Sequence, residues 1–123
     1  MIRILVIDDV SEVRLFIRNC LEEAGYSVLE ADNGNTGIAA FRRNPVDLVI
    51  VDLFMPEKEG IETIIELRKG YPNLKILAIS GGIPKYGPDN LLYSAKMLGA
   101  DDCLNKPFTV QQLLDVIEKL LAS

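Results

Sequence analysis

Five times in succession, a short apolar run rich in β-branched residues is followed by a longer segment with helical periodicity. The short runs cover residues 2–8, 26–31, 46–52, 75–80 and 102–105. The spacing predicts a first helix over 11–24, where Val13, Ile17, Cys20, Leu21 and Ala24 recur on one face and Gly25 stops the pattern. Further helices are predicted over 35–43 (Ile38 and Phe41 one turn apart), over 61–69 (ended by Gly70 and Pro72) and over 89–98 (Leu91, Ala95 and Leu98, stopped by Gly99). The last is predicted over 110–121, with Leu113, Ile117 and Leu120 on one face and Thr109 with Gln112 as a capping box. Strict alternation of this kind predicts an α/β fold. It is a (βα)5 doubly wound, five-stranded parallel sheet with helices on both faces. The first and third runs are continuously apolar, as strands covered on both faces should be.

A chain of 123 residues suits one domain, so residues 1–123 are expected to form a single unit without a second core. With 49% hydrophobic and 25% charged residues the composition is that of an ordinary folded protein. No apolar stretch reaches the roughly 20 residues needed to cross a bilayer. The opening Met1-Ile2-Arg3 runs too soon into Asp8-Asp9 for a signal peptide, so a cytoplasmic location without a membrane partner is expected. Cys20 falls on a helix stripe and Cys103 in a strand, which fits small buried thiols rather than a disulfide or a metal. The absence of histidine excludes a Ser-His-Asp site, a Cys-His site, a His-ligated zinc and any phosphohistidine role for the chain itself. A net charge of −5, with no basic block denser than Arg42-Arg43, argues against direct nucleic-acid binding.

In open parallel sheets ligands bind beyond the carboxyl ends of the strands. Here the first strand ends in Asp8-Asp9, the third in Asp52, the fourth in Ser80, and the fifth just before Lys106. If the first and third strands are neighbours, three carboxylates converge and repel unless a cation neutralises them. Oxygen ligands without His or Cys suit a hard ion such as Mg²⁺. Carboxylates, one hydroxyl and one Lys make a coherent set for phosphoryl transfer, with Asp52 as the attacking carboxylate and Ser80 and Lys106 facing the phosphoryl oxygens. Each piece alone is commonplace. Asp8-Asp9 can cap a helix, Ser80 before Gly81-Gly82 can be a turn, and Lys106-Pro107 a strand exit. Their arrival together at one sheet edge is what carries the chemistry.

With these residues in place, the whole chain resembles the receiver domain of two-component response regulators, a flavodoxin-like fold. The resemblance rests on Asp8-Asp9, on Asp52-Leu53-Phe54-Met55-Pro56 followed by Gly60, on Ser80-Gly81, and on Lys106-Pro107-Phe108. It implies that Asp52 is the phosphoacceptor, charged by a sensor histidine kinase or a histidine phosphotransfer protein. It implies Mg²⁺, with Mn²⁺ able to substitute, ligated by Asp9, Asp52 and the Phe54 carbonyl and assisted by Asp8 through water. It further implies that Lys106 pairs with Asp52 and then with the phosphoryl group, that Ser80 hydrogen-bonds that group, and that the Lys106–Pro107 bond is cis. The implied outcome is altered binding of a downstream protein target or effector domain, with phosphorylation-dependent dimerisation as a further option.

The chain departs from the family pattern in two places. Cys103 stands where the family often has a switch Tyr or Phe, and the segment 81–88 is a few residues longer than usual, with Tyr86 as an aromatic within it. Phe54 and Gly82, two positions after Asp52 and Ser80, offer no side-chain hydrogen bond to a hydrolytic water, so a long-lived phosphoryl group is expected. Two other classes fit less well. A Mg²⁺-dependent aspartyl phosphatase or phosphotransferase would need a cap domain. A flavodoxin-like binding module would want a phosphate-binding loop where this chain is acidic. A degenerate receiver serving as a protein-binding scaffold is the remaining alternative.

Overall fold

The computed structural model describes residues 1–53, 60–81, 96 and 98–123. In chain order the elements are β1 (Arg3–Ile7), α1 (Ser11–Glu23), β2 (Ser27–Ala31), α2 (Gly34–Arg43), β3 (Leu48–Asp52), α3 (Gly60–Gly70), β4 (Lys75–Ser80), β5 (Asp102–Asn105) and α4 (Val110–Ala122). The strands form one parallel sheet in the order β2-β1-β3-β4-β5. The reversal of winding lies at β1, with β2 on one side and β3 on the other, which makes the sheet doubly wound as the alternation predicts. The helix predicted over 89–98 lies outside the described residues except for Lys96 and Leu98, which are helical.

Period-two alternation along the buried strands splits the core into two layers. Leu5, Ile7, Val49, Val51, Ile76 and Ala78 meet Ile38 and Phe41 of α2 and Ile64 and Leu67 of α3 on one face. Ile4, Val6, Leu48, Ile50, Leu77 and Ile79 meet Ile17, Cys20 and Leu21 of α1 and Leu113, Ile117 and Leu120 of α4 on the other. Each fully buried Leu or Ile is worth about 1.5–3 kcal/mol, so the two layers together hold the sheet rigid. Ala24, expected on the first helix stripe, is instead exposed, because the helix has already ended there. The end is a Schellman turn: Tyr26 N–H donates to the Leu21 carbonyl at 3.0 Å, Gly25 N–H donates to Glu22 at 3.0 Å, and Gly25 takes φ +97°.

The capping box on α4 forms as its sequence predicts. Thr109 Oγ1 accepts Gln112 N–H at 3.1 Å and Gln112 Oε1 accepts Thr109 N–H at 2.8 Å. Neither cysteine is in a disulfide. Burial pushes the half-buried Cys103 thiol up to about 11, which makes it unreactive at neutral pH.

Candidate functional site

Parallel register is what assembles the site. Ile7 pairs with Val51, Asp52 with Ile79, and Ser80 with Asn105. The next residues along β1 and β5, Asp8 and Lys106, therefore reach the same edge as Asp52 and Ser80. The ladder continues past the strand ends, with Leu53 N–H donating to the Ile79 carbonyl at 2.9 Å and Lys106 N–H donating to the Ser80 carbonyl at 2.7 Å. Main-chain bonds thus fix the backbone from which both Asp52 and Lys106 project. On the other side, α3 starts hard against the end of β3. A Cβ on Gly60 would lie 2.1 Å from the Asp52 carbonyl oxygen and 2.6 Å from Leu53 Cα, so only glycine permits this approach.

Asp8 and Ser80 are 0% exposed and Asp52 3% exposed, whereas Asp9 stands at the surface. One ligand oxygen from each of Asp8, Asp9 and Asp52 lies within 4.8 Å of the other two. Three carboxylates that close, two of them buried, require positive charge nearby. Lys106 supplies part of it: its Nζ lies 3.0 Å from Asp8 Oδ2 and 3.5 Å from Asp52 Oδ2. The resemblance implied a pair between Lys106 and Asp52, which is present, and the shorter contact is to Asp8. Asp8 does not cap α1 as a conventional N-cap. Its Oδ1 accepts Val10 N–H at 2.9 Å, and Val10 itself occupies the N-cap position. The Lys106–Pro107 peptide bond is cis.

The donor set fits a hard divalent cation, because the clustered ligand atoms are all carboxylate oxygens and the cluster opens to solvent at Asp9. Phe54, implied as a carbonyl ligand, and Gly82 both lie outside the described residues, as does the segment 82–88 with Tyr86. Beside the carboxylates runs a groove of about 500 Å³ bounded by Glu12, Val13, Phe16, Lys106, Pro107 and Phe108. The Phe16 and Phe108 rings on its wall have centroids 6.1 Å apart.

One contact to this edge escaped the sequence. Arg14 Nη1 donates to the Asp8 main-chain carbonyl at 2.7 Å, and Arg14 Nε donates to Glu30 Oε1 at 3.1 Å. Its only sequence signal was a charged residue, Glu30, within a short strand-forming run, with Arg14 and Arg18 spaced one turn apart to meet it.

The model of the response regulator receiver domain matches residues 4–118. The chain belongs to the response regulator receiver family. The chemotaxis protein CheY of Thermotoga maritima is 32% identical over 119 residues, covering 96% of each chain. The response regulator receiver protein CpdR of Brucella abortus is 34% identical, covering 97% of this chain and 96% of its own. Among solved structures, the receiver domain of NtrX from Brucella abortus superposes with a TM-score of 0.91 at 29% identity, over 98% of both chains. As a receiver this is a signalling domain, of a family that binds Mg²⁺ at an acidic site and works with kinases and effectors. Among the described residues no helix is long and apolar enough to cross a membrane.

Proposed function

We propose that residues 1–123 act as one receiver whose phosphoacceptor is Asp52. The observation that carries this reading is the buried Asp52 carboxylate at the end of β3, within 4.8 Å of Asp8 and Asp9 oxygens and 3.5 Å from the Lys106 ammonium. A carboxylate so placed is a nucleophile with its countercharges already arranged. The donor is a phosphohistidine on a sensor kinase or phosphotransfer protein. An Asp52 oxygen bonds to phosphorus as the P–N bond to the imidazole breaks, and that electron pair stays on the ring nitrogen. Asp9, Asp52 and the Phe54 carbonyl would hold Mg²⁺, or Mn²⁺ in its place, with Asp8 helping through water, and the ion when bound supplies charge neutralisation for the carboxylates and the phosphoryl oxygens. Lys106 gives up part of its contact with Asp8 and Asp52 to pair with the new phosphoryl oxygens. The Ser80 hydroxyl, at the end of the neighbouring strand, donates to another.

The domain assists its own phosphorylation and dephosphorylation but is not built for turnover of a free phosphoester. The product shifts an equilibrium between two states that differ in partner binding, through a protein target or effector domain in the cytoplasm. Borohydride reduction of the chain after reaction with acetyl phosphate and Mg²⁺, followed by peptide mapping, tests the assignment. An acyl phosphate at Asp52 appears as homoserine at position 52. Homoserine at Asp8 or Asp9 instead would overturn it.

A further inference from the structure

Both main-chain groups of Asp8 are tied to the carboxyl end of β2. Its N–H donates to the Ala31 carbonyl at 3.1 Å. Its carbonyl accepts Nη1 of Arg14 at 2.7 Å, and the same guanidinium is anchored through Nε on Glu30 at 3.1 Å. That carbonyl belongs to the peptide joining Asp8 to Asp9, the two adjacent carboxylates of the acidic cluster. Asp9 is exposed and hangs from this peptide, so its direction follows the peptide's orientation. The planar, forked guanidinium can hold a carbonyl and a carboxylate at once in a fixed geometry, which an ammonium cannot.

We infer that Arg14 is a positioning residue of the metal site. Clamped on Glu30, it fixes the Asp8–Asp9 peptide so that the Asp9 carboxylate is already aimed at Asp8 and Asp52 before a cation arrives. This rests on the reading of Asp8, Asp9 and Asp52 as the carboxylates of the metal site. Partners that orient ligands in this way govern affinity for the ion without touching it. Arg18 is the natural control. It also pairs with Glu30, and with Glu22, but it reaches those carboxylates from one turn further along α1.

The test is the dissociation constant for Mn²⁺, measured by calorimetry on the full chain for the parent, Arg14→Ala, Arg14→Lys and Arg18→Ala. Arg14→Ala is expected to bind Mn²⁺ about tenfold more weakly and Arg18→Ala within about twofold of the parent, with Arg14→Lys between them. The rate of phosphorylation by acetyl phosphate should fall in Arg14→Ala at low Mg²⁺ and return to the parent's value at saturating Mg²⁺. A general loss of structural integrity would not give that split. An Arg14→Ala affinity no weaker than that of Arg18→Ala overturns the inference. If Arg14→Ala does not fold, an Arg14→Lys affinity equal to the parent's does the same. A parent that binds Mn²⁺ but takes no phosphoryl group would sink the functional reading and leave Arg14 to be decided by affinity alone. A parent that binds no Mn²⁺ overturns both.

Discussion

The Lys106 ammonium lies 3.0 Å from Asp8 Oδ2, nearer than to Asp52 Oδ2 at 3.5 Å. The same lysine therefore neutralises two of the carboxylates that a divalent cation would need. Ammonium and cation compete for the same negative charge, so Lys106→Met should tighten Mn²⁺ binding by on the order of 1 kcal/mol, roughly fivefold. It should at the same time slow phosphorylation, because the positive charge on the phosphoryl oxygens is lost. Calorimetry and a time course with acetyl phosphate measure the two effects. Weaker metal binding in the variant would show that Lys106 supports the ion rather than competing with it.

Asp52→Asn removes one charge from a crowded, largely buried cluster while preserving shape. In EDTA the variant should be more stable than the parent by on the order of 1 kcal/mol, a few degrees in melting temperature. Adding Mg²⁺ should then raise the parent's melting temperature more than the variant's, since a ligand stabilises only the fold that binds it. A variant less stable than the parent in EDTA would mean that Asp52's own contacts outweigh the repulsion.

Glu30 gives the fold a predictable pH dependence. The Arg18 hydrogen bond, partly opposed by burial and reinforced by Arg14, holds its carboxyl below the ordinary 4.5. A carboxyl lowered on folding stabilises the native state fully above its unfolded value and loses that contribution as the pH falls through the folded one. Glu30→Gln should therefore cost about 0.2–1 kcal/mol at pH 7, as partly exposed pairs do, and the gap to the parent should close below pH 4.5. Urea unfolding at neutral and acid pH reads the difference, and a gap that widens in acid would contradict the assignment.

Two glycines should respond differently to alanine. At Gly60 the new Cβ meets main-chain atoms of Asp52 and Leu53, which cannot step aside without moving β3 or α3. At Gly37 it meets Cδ1 and Cγ1 of the buried Ile7 side chain, so a side chain rather than the main chain has to give way. Gly60→Ala should cost about 1–3 kcal/mol and slow phosphorylation, while Gly37→Ala should cost less and leave the rate unchanged. Thermal unfolding and the acetyl phosphate time course separate them.

Most of this architecture could be read in advance because it depends on local pattern. A continuous apolar run such as Leu48–Val51 and a period of 3.6 such as that of Val110–Ala122 are written in consecutive residues, and the parallel sheet then brings every strand's carboxyl end to one edge. Asp8, Asp52, Ser80 and Lys106 were legible for that reason. What stayed hidden depends on side chains meeting across long sequence separations. Arg68 is the clearest case. It donates to the carbonyls of Pro72, Leu74 and Gly99 and to Asp101, tying the end of α3 to the starts of β4 and β5. No periodicity announces such a hub. Arg14 was hidden for the same reason, and the preference of Lys106 for Asp8 depends on where a flexible side chain settles.

Whether Asp52 takes the phosphoryl group is read by intact-mass spectrometry after incubation with acetyl phosphate and Mg²⁺, with Asp52→Ala in parallel. One added phosphoryl group is expected on the parent, none on the variant, and none on the parent in EDTA. A parent that binds the ion yet stays unmodified, or a variant modified as readily as the parent, would contradict Asp52 as the phosphoacceptor.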